Sequence, residues 1–189
     1  HDAWVRLDAG RVAPRGTGVA WAPADEVVDA ASVAGPGALL TPGFVDIHGH
    51  GGAGASFDDG VDSIRTARDL HRAHGTTRSV ISLVANPLAN LRESLGVIAE
   101  LAESDPLVLG SHLEGPFLAP ERRGAHNLDF LRDPDPLEVE ELLTAARGTL
   151  RQLTLAPELP NAGEAIDVLV EAGVVVAVGH TEATFEQTR

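Results

Sequence analysis

The chain has no cysteine and no lysine; its 14 positive residues are all arginine. Without cysteine there is no disulfide framework and no thiolate chemistry, which fits a reducing, cytoplasmic setting. Without lysine there is no Schiff-base former, no lysine phosphate clamp, and no carbamylated lysine of the kind that bridges two metals in some hydrolases. No apolar run approaches the roughly 20 residues that span a bilayer, and no secretory signal is visible. A basic face is lacking too. With a formal net charge of −14, nonspecific nucleic-acid binding is excluded, because it needs positive charge.

The 189 residues are enough for one sizeable domain with a core, and at 43% hydrophobic the chain reads as globular. His1 is not a natural start, so residues are expected ahead of it. Residues 1–42 carry short apolar pieces (Trp4-Val5, Val19-Ala20-Trp21, Val27-Val28) broken by Gly, Pro and Asp. This texture predicts a small β-subdomain of short strands and turns.

From residue 43 to 189 the pattern changes to alternating strands and helices. Strands are predicted at Phe44–His48, Thr76–Val84, Leu107–Glu114, Leu150–Ala156 and Val174–Val178. Helix signals lie between them. Asp58 or Asp59 opens a helix that runs to His74, Asn86-Pro87 opens the next, Asp135-Pro136-Leu137-Glu138 caps another, and Asn161 begins a fourth that ends at Gly173. A last helix begins at Glu182. Such alternation implies parallel βαβ units, as either an open doubly wound sheet or a TIM barrel. A complete TIM barrel takes about 250 residues and eight units, so a barrel would be present here only in part, with about five.

The strand ends carry the chemistry. Thr41-Pro-Gly-Phe-Val-Asp-Ile-His48-Gly-His50 delivers two histidines two residues apart, which point the same way on a strand. Leu107-Val-Leu-Gly-Ser-His112-Leu-Glu114 places a carboxylate at a strand tip, with His112 one step deeper as a hydrogen-bonded core residue. Val174-Val-Val-Ala-Val-Gly-His180 ends in a further histidine. Parallel strand tips share one face of a sheet, so His48, His50, Glu114 and His180 can meet. A nitrogen-rich set with one carboxylate suits zinc, with iron or manganese as second choices. The long segment 115–133 holds Arg122, Arg123 and His126 above that site, His126 as a substrate contact and the two arginines as solvated charge. Glu158 reads equally as support for the site or as a solvent-facing cap. His71 and His74 read as surface residues of a helix.

Taken together, Pro42-Gly-Phe-Val-Asp-Ile-His-Gly-His-Gly-Gly52, His112-Leu-Glu-Gly-Pro-Phe117, Gly124-Ala-His-Asn127, Thr154-Leu-Ala-Pro-Glu158 and Val178-Gly-His-Thr181 resemble the N-acetylglucosamine-6-phosphate deacetylase family of the amidohydrolase superfamily. Asp-x-His-x-His is shared across that superfamily; His-Leu-Glu-Gly-Pro followed by Gly-Ala-His-Asn is the more specific mark. The resemblance implies a TIM (β/α)8 barrel of metal-dependent hydrolase type with a small β-sandwich subdomain. It also implies Glu114 and His180 as primary metal ligands, and His48 and His50 as ligands of a second ion held by some members. Ala125, through its backbone, and His126 would bind the sugar. The implied reaction is metal-assisted hydrolysis of the acetamide of N-acetylglucosamine 6-phosphate, in amino-sugar catabolism or cell-wall recycling, by a homodimer. In the resemblance a sixth-strand histidine, the phosphate-binding groups and a catalytic Asp follow Arg189, so the 189 residues alone are expected to be inactive. Two rivals remain: an amidohydrolase acting on a cyclic amide, disfavoured because Leu150–Glu158 offers no bridging lysine, and a noncatalytic sugar- or metal-binding module.

Overall fold

A computed structural model describes residues 3–189; His1 and Asp2 lie outside the described residues. The chain divides into two compact units, residues 1–42 and 43–189. In the first, β1 (Ala3–Asp8) and β2 (Arg11–Thr17) pair antiparallel. Ala9 and Gly10 both take positive φ at the turn, as a tight hairpin requires. The strands expected near Val19 and Val27 are absent among the described residues. Asp29 instead accepts the Ala31 N–H and starts a short helix, α1 (Ala30–Ala34). Among the described residues this unit therefore shows one two-stranded hairpin.

The second unit begins with β3 (Phe44–Asp46), followed by a two-residue-stranded hairpin, β4 (Gly51–Gly52) and β5 (Ala55–Ser56). After them come α2 (Val61–Ala73), β6 (Thr76–Leu83), α3 (Leu88–Ser104), β7 (Val108–Glu114), α4 (Pro136–Ala146), β8 (Leu150–Leu155), α5 (Ala162–Glu171), β9 (Val175–Val178) and α6 (Phe185–Thr188). β3, β6, β7, β8 and β9 form a parallel sheet in that order. Each crossover steps one strand in the same direction. A doubly wound sheet reverses its strand order near the middle, so the observed order excludes it and leaves a half-barrel. Right-handed crossovers taken in one direction put the helices on one face.

Alternation within the strands separates that apolar face from a polar one. Ile81, Leu83, Leu113, Leu153 and Leu155 are fully buried and share a core with Leu91, Leu95 and Ile98 of α3, Val139 and Leu142 of α4, and Leu169 of α5. The opposite face carries Ser82, His112 and Thr154, polar side chains that are also buried. Buried polar groups need partners, and these three find one another. β7 and its neighbours are in register, Ser82 opposite His112 and Glu114 opposite Thr154.

Helix starts follow the expected punctuation with three exceptions, one being α6, which starts at Phe185 under a Thr184 cap rather than at Glu182. Asp135 caps α4 through the Leu137 N–H at 2.9 Å. Asp58 does not cap α2: Ser56 caps a 3-10 turn at Phe57–Asp59, and Gly60 precedes the helix with no side-chain cap. Asp58 turns inward and accepts the Val84 N–H at 3.2 Å. Asn161 sits in the left-handed region at φ 61° and makes no capping bond; its amide donates to the Pro134 carbonyl.

Candidate metal centre

Four imidazoles surround one carboxylate. Around Glu114, His50 Nε2 lies 2.9 Å and His126 Nε2 3.5 Å from Oε2, while His180 Nε2 lies 3.1 Å and His48 Nε2 3.4 Å from Oε1. The Glu114 side chain is 12% exposed, so the carboxylate is largely desolvated. Hydrogen bonds from His126 and His50 overcome the cost of burial and hold it well below the usual carboxylate range. In return Glu114 raises the basicity of His50 against the opposing effect of burial.

Each imidazole arrives by its own local device. β3 stops at Asp46, two residues short of the expectation, because Asp46 Oδ1 accepts the His48 N–H at 3.1 Å and turns the chain. His48 and His50 therefore leave from a bend rather than from the strand itself. They still converge, with Nε2 atoms 3.1 Å apart. Ser82 holds that bend, its hydroxyl accepting the Gly49 N–H at 3.2 Å. His180 takes a positive φ of 51° just past β9. Its carbonyl accepts the Ala119 N–H and its Nδ1–H donates to the Arg122 carbonyl at 2.8 Å. His126 comes from the segment after β7, and the Ala85 N–H donates to its Nδ1 at 3.2 Å.

The second nitrogen of two of these rings, His126 and His180, sorts them by role. A neutral imidazole has one donor and one acceptor nitrogen. The network assigns the proton of His180 to Nδ1, which leaves the Nε2 lone pair facing Glu114. It assigns the proton of His126 to Nε2, which can then only donate. Two groups of three lie close enough for one cation, His48/His50/Glu114 and Glu114/His126/His180. In the second group Glu114 and His180 offer lone pairs and His126 does not. Imidazole nitrogen with carboxylate oxygen is a set that zinc and its neighbours accept, so the residues present fit a divalent metal.

His112 forms the floor. It is fully buried, bonded through Nδ1 to Ser82 at 2.9 Å and through Nε2 to Thr154 at 2.8 Å. Its ring meets His48 edge-on at 4.7 Å between centroids. Burial, with His48 beside it, pushes its pKa down to about 4, so it is a neutral spacer at ordinary pH. Ser82 and Thr154 were not singled out from sequence. The signal for them was polar residues in phase with His112 on strands otherwise rich in Val, Ile and Leu.

Segment 115–133 is built into the fold at its start, since Phe117, Leu118 and Ala119 are buried. Arg122 pairs with Glu182 at 3.2 Å on the surface. Arg123 is not plain solvated charge: it donates to the His126 carbonyl at 3.1 Å and braces that residue. Ala125 is exposed, directly ahead of buried His126. Glu158 accepts from the Thr181 hydroxyl and the Glu182 N–H. Burial would push its pKa up, but these two donors hold it below the ordinary range, and it thereby caps the turn after His180. His71 is half-buried rather than at the surface, bonded to the Gly51 carbonyl, whereas His74 is exposed.

No family model matches the chain. Curated proteins do. The N-acetylgalactosamine-6-phosphate deacetylase of Escherichia coli O157:H7 is 36% identical over 155 residues, covering 80% of this chain and 41% of that protein. The N-acetylglucosamine-6-phosphate deacetylase of Lysinibacillus sphaericus is 34% identical over 157 residues, covering 81% of this chain and 41% of its own length. Among solved structures, N-acetyl-D-glucosamine-6-phosphate deacetylase from Mycobacterium smegmatis superposes with a TM-score of 0.88 at 44% identity, over 98% of this chain and 47% of that one. The chain spans about two fifths of the length of the curated relatives it matches. In sequence and in fold, it is similar to the N-acetylglucosamine-6-phosphate deacetylases over a little under half of their length.

Proposed function

We propose that these residues supply the metal-binding and sugar-contacting part of an enzyme that hydrolyses the acetamide of N-acetylglucosamine 6-phosphate, giving glucosamine 6-phosphate and acetate. The observation that carries this reading is the convergence of His48, His50, His126 and His180 on Glu114 in a chain similar to such deacetylases. A variant of the Mycobacterium smegmatis enzyme has been solved in complex with N-acetyl-D-glucosamine-6-phosphate, at a TM-score of 0.83 to this chain.

Glu114 and His180 would hold one divalent ion, and His48 and His50, sharing Glu114, a second. Zinc fits the donor set best, with iron or manganese next. Such an ion supplies Lewis acidity that polarises the acetamide carbonyl and acidifies water. Glu114 gathers the Nε2 atoms of His48, His50 and His180 around its carboxylate and would share the ions with them. His180 presents a lone pair because Arg122 fixes its tautomer. On substrate binding His126 would turn its Nε2–H from Glu114 to an oxygen of the sugar or its acetyl group, with the backbone of Ala125 beside it. In the reaction water adds across the amide: its oxygen joins the acetyl carbon, the C–N bond breaks, and the amine takes a proton. The resemblance assigns that proton transfer to an aspartate on an eighth strand, which these 189 residues do not include.

Several finer points belong to the same reading: a homodimer, a cytoplasmic location, residues 1–42 as part of a small β-sandwich, and a barrel that starts at residue 43. No helix among the described residues is long and apolar enough to cross a membrane.

A second sugar has specific support, since the Escherichia coli relative is named for N-acetylgalactosamine 6-phosphate. Acetate release from the two phosphorylated epimers, measured side by side on the complete protein with its metal, tests the reading and decides between them. Release from neither would overturn it.

A further inference from the structure

Two side chains outside the histidine cluster hold the glycine-rich backbone that carries His48 and His50. Ser82 takes the Gly49 N–H. The other is His71, in the last turn of α2, whose Nε2–H donates to the Gly51 carbonyl at 2.9 Å. The contact is close-packed: a Cβ on Gly52 would stand 3.0 Å from the same nitrogen. Gly51 and Gly52 are strand β4 of the small hairpin that leaves His50, and the His50 carbonyl accepts the Phe57 N–H at 3.0 Å. The backbone on the far side of His50 is thus bonded at one residue to the 3-10 turn and at the next to α2. His74, three residues on, donates to the Leu70 carbonyl of its own helix instead.

We propose that His71 is a positioning residue for metal binding at His48 and His50. Glycine backbone is the most easily deformed, and a ligand on it keeps its direction only if the carbonyls around it are fixed. The bond at Gly51 does this from a rigid helix. The donor persists whether the imidazole is neutral or charged, because Nε2 carries hydrogen in both forms. This inference rests on the metal reading above.

The test is zinc affinity and stoichiometry, by chelator competition on the complete protein, for wild type, His71→Leu, His71→Gln and His48→Ala. The leucine variant keeps bulk but loses the donor, while the glutamine amide can reach the same carbonyl. His71→Leu is expected to weaken the ion that His48→Ala removes by ~10–100-fold, as loss of ligand-orienting groups does elsewhere. The other ion should stay in place, and His71→Gln should recover most of the loss. If the leucine variant does not fold, His71→Asn, whose amide falls short of Gly51, replaces it. Wild-type affinity in the donor-less variant overturns the proposal, as does equal loss in the leucine and glutamine variants. If wild type and His48→Ala hold the same zinc equally well, the metal reading at His48 and His50 fails, and the His71 proposal with it.

Discussion

His126 accepts the backbone N–H of Ala85 on its Nδ1 at 3.2 Å, and that single bond decides what the residue can do. A nitrogen that carries hydrogen cannot ligate a metal, so the Nε2 facing Glu114 is a donor. Replacing His126 with alanine is expected to leave metal content near the wild-type level while kcat/KM for the acetylated sugar phosphate falls ~10–100-fold. That loss corresponds to the ~1–3 kcal/mol cost of leaving a buried hydrogen bond unmade. Elemental analysis beside steady-state kinetics checks it. A variant that loses its metal would show the tautomer assignment to be wrong.

Glu114 is the common neighbour of both candidate ion groups. Glu114→Gln keeps the shape and removes the charge. Turnover is expected to fall ~10²–10³-fold or more, the several kcal/mol that a bound cation's stabilisation of charge is worth, and metal stoichiometry should fall with it. Equilibrium binding of the sugar separates two readings. An enzyme loses turnover, whereas a noncatalytic binding module would keep its ligand and show no turnover in wild type either.

His112 gives a pH dependence with a definite sign. Its folded pKa of about 4 lies below the ~6.5 of an unfolded histidine. Between those values the unfolded chain binds more protons, so stability rises with pH through the window. The contribution is complete above pH ~6.5 and is lost as pH falls towards 4. In metal-free protein, urea unfolding should show a slope over pH 4–6.5, on the order of 1–3 kcal/mol in total, that His112→Gln flattens. Parallel pH profiles for the two proteins would contradict this.

Core packing offers a control away from the site. Leu153 is fully buried between β8 and the helix layer. Leu153→Ala should cost ~2–5 kcal/mol in chemical denaturation. Val170 on α5 is 59% exposed, and its change to alanine should stay within ~0.5 kcal/mol.

Much of this arrangement was readable from the chain alone. Alternation along Leu107–Glu114 and Val174–His180 placed two ligand candidates at parallel tips, and the Asp135-Pro136 signal marked the start of α4. What sequence could not supply were the particular side-chain bonds, some local and some between distant segments. Asp46 ends β3 early by bonding to His48, and nothing local forbids two more strand residues there. Arg123 looked like surface charge until the chain folded back over it to present the His126 carbonyl. His71 looked the same as His74 because only the hairpin at Gly51 distinguishes them. Residues 18–42 misled for a different reason. Short apolar pairs such as Val27-Val28 match a strand in composition, and the Asp29 cap tips the chain into a helix instead.

The measurement that bears most directly on the central claim is acetate release by the complete, metal-loaded protein from N-acetylglucosamine 6-phosphate, beside the unphosphorylated sugar. The account predicts release from the phosphorylated sugar and little or none from the other, with loss of release in Glu114→Gln. No release from the phosphorylated sugar by protein that holds its metal would contradict it.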